Sequence, residues 1–304
     1  MKVSVFPVNA AETVTASSRF SSNFLAWYFV LVWGSGFLAT KIGIQYAAPF
    51  TFLSLRFIAG LLCLAPLLLW VKPAWPRSQR EWLHVIIAGL LIHAIHLSGS
   101  HYSQYLGMSA GVTAIILAGQ TLLTAIVAAV WMGEKPSRTQ WLGVTIGLFG
   151  VGLVVWHKVD VAAVSTNILI AVGTGLIALT AGTLYQRQFC AQVDLRSSTF
   201  IQFGASLLVI APLSYAVEGA RIDWSWSLVA AVLFLVIFAS MLAVNALTLL
   251  LRRGAVTRVT GMLYLPPVVA VMAEWLLFGV QPTWLTALGV IIVCIGVALT
   301  ARGK

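Results

Sequence analysis

Apolar residues in this chain neither alternate nor keep to one helical face. From Asn23 to Ala301 they form continuous stretches, one after another, separated by short polar connectors. The stretches predict helices near residues 23–46, 50–71, 82–105, 109–131, 139–157, 166–189, 197–217, 226–250, 256–278 and 283–301. Most reach the ~20 residues a helix needs to cross the hydrocarbon core. Unbroken runs also exclude a transmembrane barrel, whose strands alternate apolar and polar positions. The predicted fold class is an all-α polytopic membrane protein of ten transmembrane helices. Residues 1–22 are polar and aperiodic and read as a disordered tail. Pro and Gly mark several connectors: Ala48-Pro49, Lys72-Pro73-Ala74-Trp75-Pro76, Gly133-Glu134-Lys135-Pro136 and Gly279-Val280-Gln281-Pro282.

Composition strengthens this reading: 60% of the 304 residues are hydrophobic and 9% charged, a surface that water could not hold in solution. The net charge of +10 does not point to nucleic acid, because the basic residues are scattered among connectors with no basic helix near them. They set orientation instead. With residues 1–22 inside, the predicted spans place Lys2, Arg19, Lys72, Arg77, Arg80, Lys135, Arg138, Arg187, Arg196, Arg252, Arg253, Arg258, Arg302 and Lys304 on the cytoplasmic side. Lys158 and Arg221 fall outside, so both termini are expected to be cytoplasmic and the span number even. Most Trp residues, among them Trp75, Trp131, Trp156 and Trp284, lie at span ends, as an interfacial belt requires. Cys63, Cys190 and Cys294 fall in spans or at a cytoplasmic end and suggest no disulfide framework.

An ungapped shift of 146 residues aligns Gly133, Pro136, Leu142, Gly143, Gly150 and Val151 with Gly279, Pro282, Leu288, Gly289, Gly296 and Val297. The same shift pairs Ala65-Pro66 with Ala211-Pro212, Phe57 with Phe203, Gly36 with Gly182, and Lys41 with Arg187. The chain therefore divides into a first unit at 23–158 and a second at 166–304, each with five spans. An odd number forces the second to insert upside down, and inverted repeats of this kind place a substrate site near the membrane midplane between the copies.

Polar residues within spans are the candidates for chemistry. His93 lies about 16 Å into the third span from Trp82, near the centre of a ~30 Å core, and His96 and Ser100 continue an i, i+3, i+7 stripe. Ionisable groups at that depth face a polar cavity or a partner; the histidines either bind substrate or bridge helices. Glu274 is the one carboxylate embedded away from span ends. It is either a proton-coupling group or the structural partner of Lys41 or Arg56. Arg56 is expected to be a packing anchor or a snorkelling group rather than a substrate ligand. Trp33, beside Gly34 and Gly36, suits a cavity wall or simple packing, and the two glycines, with Gly182 in the second unit, suit a hinge or a close helix approach. Gln120, Tyr185, Asn245 and Tyr264 fall in the central region and could hold a polar head group. The small-residue faces of the fifth and tenth spans suit packing within one chain and leave a monomer or a weak homodimer. No span combines Cys, His and carboxylates into a metal set, and no cofactor motif is visible.

Trp33-Gly34-Ser35, Lys41, Pro49, Arg56, Gly133-Glu134, Leu142-Gly143 and the Pro266–Gly279 stretch together resemble the EamA-type pattern of the drug/metabolite transporter superfamily, in two tandem copies covering nearly all of the chain after the tail. The chain is similar to the YddG-like exporters of aromatic and other apolar amino acids within it. The resemblance implies ten helices with cytoplasmic termini, no enzymatic activity, and a bacterial inner-membrane carrier exporting small metabolites by alternating access. The partners expected are a small-molecule substrate and the lipid bilayer, with a proton gradient where Glu274, His93 or His96 is the group that changes charge. Two departures bear on fine mechanism: Val280 replaces a Glu that commonly ends the second copy, and Gln120 stands where Pro266 stands in the other half. Import or exchange of a nucleoside, vitamin or phosphorylated compound is the alternative within transport. A membrane enzyme lacks a nucleophile with its base, and a channel lacks a filter sequence.

Overall fold

The computed structural model describes residues 16–131, 136–162, 165–243, 246 and 265–302. Among these residues the chain is helical, and its β structure is limited to an isolated antiparallel bridge between Ala47 and Ile222. The helices are α1 (Ala16–Gly43), α2 (Pro49–Val71), α3 (Gln79–Tyr105), α4 (Ala110–Trp131), α5 (Arg138–Ala162), α6 (Thr166–Phe189), α7 (Leu195–Glu218), α8 (Trp226–Ala243), α9 (Pro266–Phe278) and α10 (Trp284–Arg302). Seven of them, α1–α4 and α6–α8, are long and apolar enough to cross a bilayer. The chain is thus a multi-pass membrane protein. The first part of the predicted ninth helix, and the candidates Asn245 and Tyr264, lie outside the described residues, as do residues 1–15 of the tail.

Local chemistry sets the helix ends. Pro49 opens α2, where its fixed φ suits the first turn and its missing N–H costs nothing. Ser78, Ser109 and Ser225 accept the N–H of Glu81, Val112 and Leu228, capping α3, α4 and α8, and Asp194 accepts from Arg196 at α7. Gly219 and Gly279 close α7 and α9 at φ 68° and 66°, the left-handed stop that glycine adopts without strain.

Two helices depart from α geometry at matching places. α3 turns π-helical over Leu90–Ile95 and α8 over Phe234–Ala243, which covers the same stretch after the 146-residue shift. α7 ends in a further π turn over Ser214–Glu218, just past Pro212. A π turn adds a residue to the helical ladder and rotates everything beyond it.

The packing partners are mutual between halves. α1 rests on α8 and α9, while α6 rests on α3 and α4; α2 faces α7, α4 faces α9, and α5 faces α10. Small residues allow the closest crossings. A Cβ on Gly143 of α5 would meet Gly296 O and Thr300 N of α10 at 2.5 Å, so the glycine faces of α5 and α10 pack on each other within one chain. Phe57 of α2 and Phe203 of α7, residues paired by the same shift, stack at 5.6 Å in the core between those helices.

Candidate functional site

A chain of polar side chains crosses the bundle between α3, α6 and α7. Buried Gln202 of α7 donates from Nε2 to Gln186 Oε1 (3.2 Å) and to Ser198 Oγ (3.0 Å). Its Oε1 is therefore the acceptor for His93 Nε2 at 3.1 Å, which makes Nε2 the protonated nitrogen of that ring. Phe203 and Phe57 sit edge-on to the same ring, at 4.9 and 6.4 Å. His96 takes a different partner: its Nδ1 lies 3.1 Å from Gly175 O of α6, a carbonyl that can only accept. α3 and α6 approach closely enough for this because a Cβ at Gly99 would meet Gly175 N at 2.8 Å.

The histidines thus do not continue one stripe. His93 turns to α7 and His96 to α6, because the π segment ending at Ile95 shifts the register between them. A third histidine belongs beside them. His101 is buried, its Nε2 lies 3.4 Å from Thr40 Oγ1, and that hydroxyl donates its own proton to Gly36 O at 3.0 Å. His101 Nε2 is accordingly the donor, and its buried Nδ1 has no partner. Gln104, one turn on, has neither amide atom satisfied.

Arg56 does not snorkel. Ile58, Leu62 and Leu69 mark the outward side of α2 with 43%, 70% and 78% exposure, and Arg56 lies roughly opposite them at 100° per residue. It is seven residues past Pro49, about 10 Å along the helix. One terminal nitrogen donates to Ser240 Oγ of α8 at 3.2 Å, while Nε is buried without a partner. Phe52, one turn before Arg56, packs against the His101 ring at 5.7 Å, and Phe57, next to Arg56, meets the His93 ring at 6.4 Å, so this part of α2 abuts the histidines of α3. Five side chains from α2, α3 and α8 therefore gather there, and sequence reasoning named three of them.

The second charged group is complete. Lys41 Nζ of α1 lies 2.6 Å from Glu274 Oε1 of α9 and 4.6 Å over the Phe278 ring. Glu274 also accepts the first N–H groups of α4, from Ala110 (3.0 Å) and Gly111 (2.8 Å), where the helix dipole favours an anion. A comparable cap joins α7 to α2: Glu218 accepts from Phe50 N, Thr51 N and Thr51 Oγ1 at 2.9, 2.8 and 2.7 Å. A narrow cleft lined by Ser109, Gly111, Gln281 and Thr286 leads to Glu274.

The remaining candidates sit apart. Trp33 is 42% exposed and lies about 180° around α1 from the exposed Phe24. The flanking faces of α1 are taken by α8, through Gly36 and Leu235, and by α9, through Gly34 and Val269. Its exposed indole consequently borders space on the bundle side. α1 runs unbroken through Gly34 and Gly36, and a Cβ on Gly34 would meet Pro266 O at 2.7 Å, which uses that glycine for close approach. Gly182 does the same against Ile92 at 2.6 Å. Gln120 donates to Thr183 Oγ1 at 3.1 Å, bridging α4 and α6. Tyr185 lies in the C-terminal turns of α6, its hydroxyl 2.7 Å from His84 Nδ1, within a cluster with Phe189. Among the described residues no three His, Cys, Asp or Glu side chains form a metal-ligand group.

Known proteins match over nearly the full length. The uncharacterized inner membrane transporter YedA of Escherichia coli is 29% identical over 282 residues, covering 90% of this chain and 88% of its own. A probable amino-acid metabolite efflux pump of Salmonella typhimurium is 23% identical, covering 92% and 94%. A solved crystal structure superposes with TM-score 0.66 at 18% identity over 93% of this chain and 98% of its own, a likeness of fold alone. The model of the EamA-like transporter family, in the drug/metabolite transporter superfamily, matches twice, at residues 20–156 and 166–302. The chain belongs to the EamA-like transporter family.

Proposed function

We propose that this protein is a secondary carrier that exports a small metabolite, an amino acid with an apolar or aromatic side chain fitting best, across the inner membrane. In this reading ten spans form two inverted units, 23–158 and 166–304, and the units rock about the interior space between them. The observation that carries it is the mutual packing of the halves, α1 on α8 and α9 against α6 on α3 and α4, with π segments at matching places in α3 and α8. Such exchange symmetry is what two conformations of one carrier require. The amino-acid assignment draws support from the Salmonella efflux pump's name and from an exposed indole, Trp33, on the bundle side of α1. The charge distribution supports cytoplasmic termini. His93, His96, Gln120 and Tyr185 contribute polar lining in this reading, and Asn245 and Tyr264 are proposed to join them.

The test is transport by the purified chain in proteoliposomes, with a panel of amino acids and nucleosides, with and without an imposed proton gradient. Amino-acid flux lowered in both Trp33→Ala and His93→Ala proteins is the expected result. Flux of nucleosides alone, or amino-acid flux untouched by both substitutions, overturns it.

A further inference from the structure

Two cations lie embedded in neighbouring helices, and among the described residues one of them has no carboxylate partner. Lys41 has Glu274. Arg56 donates to the Ser240 hydroxyl, and its Nε is shut away from solvent and unpartnered among the described residues. The described carboxylates are engaged elsewhere: Glu81, Asp194, Glu218 and Glu274 cap helix starts, and Asp223 is exposed in a connector. A full positive charge at this depth, facing the bundle and not the lipid, marks a ligand path or a partner. Its guanidinium offers five N–H donors in a planar fork that matches a carboxylate.

The neighbouring acceptors complete the picture. Each of His93, His96 and His101 commits the single N–H of its neutral ring to a protein acceptor: Gln202 Oε1, Gly175 O and Thr40 Oγ1. Each therefore turns a bare nitrogen away from that bond, and His101 Nδ1 is buried and unpartnered. An open guanidinium donor, Arg56 Nε, and an open acceptor, His101 Nδ1, on the packed helices α2 and α3 are what the two ends of a zwitterion require.

We propose that Arg56 is the carboxylate anchor of the transport site, holding the α-carboxylate of an amino acid, with His101 Nδ1 accepting from its ammonium group. This deepens the exporter reading and rests on it. A single guanidinium fits a monoanion and leaves a phosphate dianion undercompensated, so phosphorylated compounds bind poorly. Ser240→Asp places a carboxylate within reach of Arg56 and so occupies the fork from within.

The experiment measures inhibition of L-phenylalanine flux in proteoliposomes by unlabelled L-phenylalanine and by phenethylamine, which lacks the carboxylate. The wild-type chain is expected to discriminate against phenethylamine by about 10-fold or more, the scale of a charge-assisted bidentate contact. Arg56→Lys and Arg56→Gln narrow that ratio, and Ser240→Asp removes phenylalanine flux while raising the melting temperature. Equal inhibition by the two compounds in the wild-type chain overturns the anchor while leaving an exporter standing. So does unchanged flux in Ser240→Asp, a variant whose result does not depend on removing Arg56. No wild-type flux of phenylalanine, together with no thermal shift in its presence, fails the exporter reading itself.

Discussion

Lys41 and Arg56 lie fifteen positions apart in sequence, on the two helices that flank one turn, yet the structure treats them oppositely. Lys41 is built into a closed set: a carboxylate at 2.6 Å, an aromatic face at 4.6 Å, and a partner that also caps α4. Arg56 reaches one hydroxyl and leaves one buried donor, Nε, open. The difference teaches how to read charge inside a membrane protein. A cation with its counter-ion holds helices together, whereas a cation without one holds a place.

Substitutions can separate these roles. Glu274→Ala has the largest expected effect: it strands Lys41 and uncaps two backbone N–H groups, costing on the order of 3–5 kcal/mol. A lowered midpoint of unfolding in detergent reports it, and an unchanged midpoint would dissolve the contrast with Arg56. Arg56→Met should move in the other direction, with the midpoint equal to wild type or higher, because an uncompensated charge is removed. Phenylalanine affinity should nevertheless fall by roughly 10-fold or more, measured as the concentration giving half-maximal flux. Lys41→Met follows at about 1–3 kcal/mol of stability, less than Glu274→Ala because the carboxylate keeps both α4 amides. A double-mutant cycle with Glu274→Gln isolates the pair term. Thr40→Val is the smallest, about 1 kcal/mol, since it removes the acceptor for His101 Nε2 and a side-chain donor to Gly36 O within its own helix; chemical-shift change at the His101 ring would follow it directly.

The fold was largely legible because a membrane span is a local property: twenty apolar residues announce themselves without reference to the rest of the chain. Predicted starts at 50, 109, 166 and 226 lie within one residue of the observed helices, and the caps Ser109 and Ser225 account for two of them. The site was legible only in part, for reasons that differ by residue. Glu274 and Lys41 were both singled out, but their pairing spans 233 positions and no periodicity links them. His93 and His96 were placed by depth, whereas the π turn that separates them leaves no mark in the apolar run Leu90–Ile95. His101 was missed because the same depth argument puts it about 28 Å past Trp82, at the far edge of a ~30 Å core. Gln202 and Ser240 gave no signal of their own, because a single amide or hydroxyl in a span bridges helices as often as it binds anything. Arg56 had an available cue: Ile58, Leu62 and Leu69 define a lipid side that puts it on the other.

Glu218 and Glu274 both lie at the end of the bundle where α1 turns into α2, and each reaches from one half of the chain to the amide groups that begin a helix in the other. Among the described residues, the start of α7 at the opposite end receives no such carboxylate from the other half and relies on its own Asp194. At the α1–α2 end the two halves are therefore clasped to each other by two carboxylates. Parting them there means surrendering two anion-to-amide clasps at once.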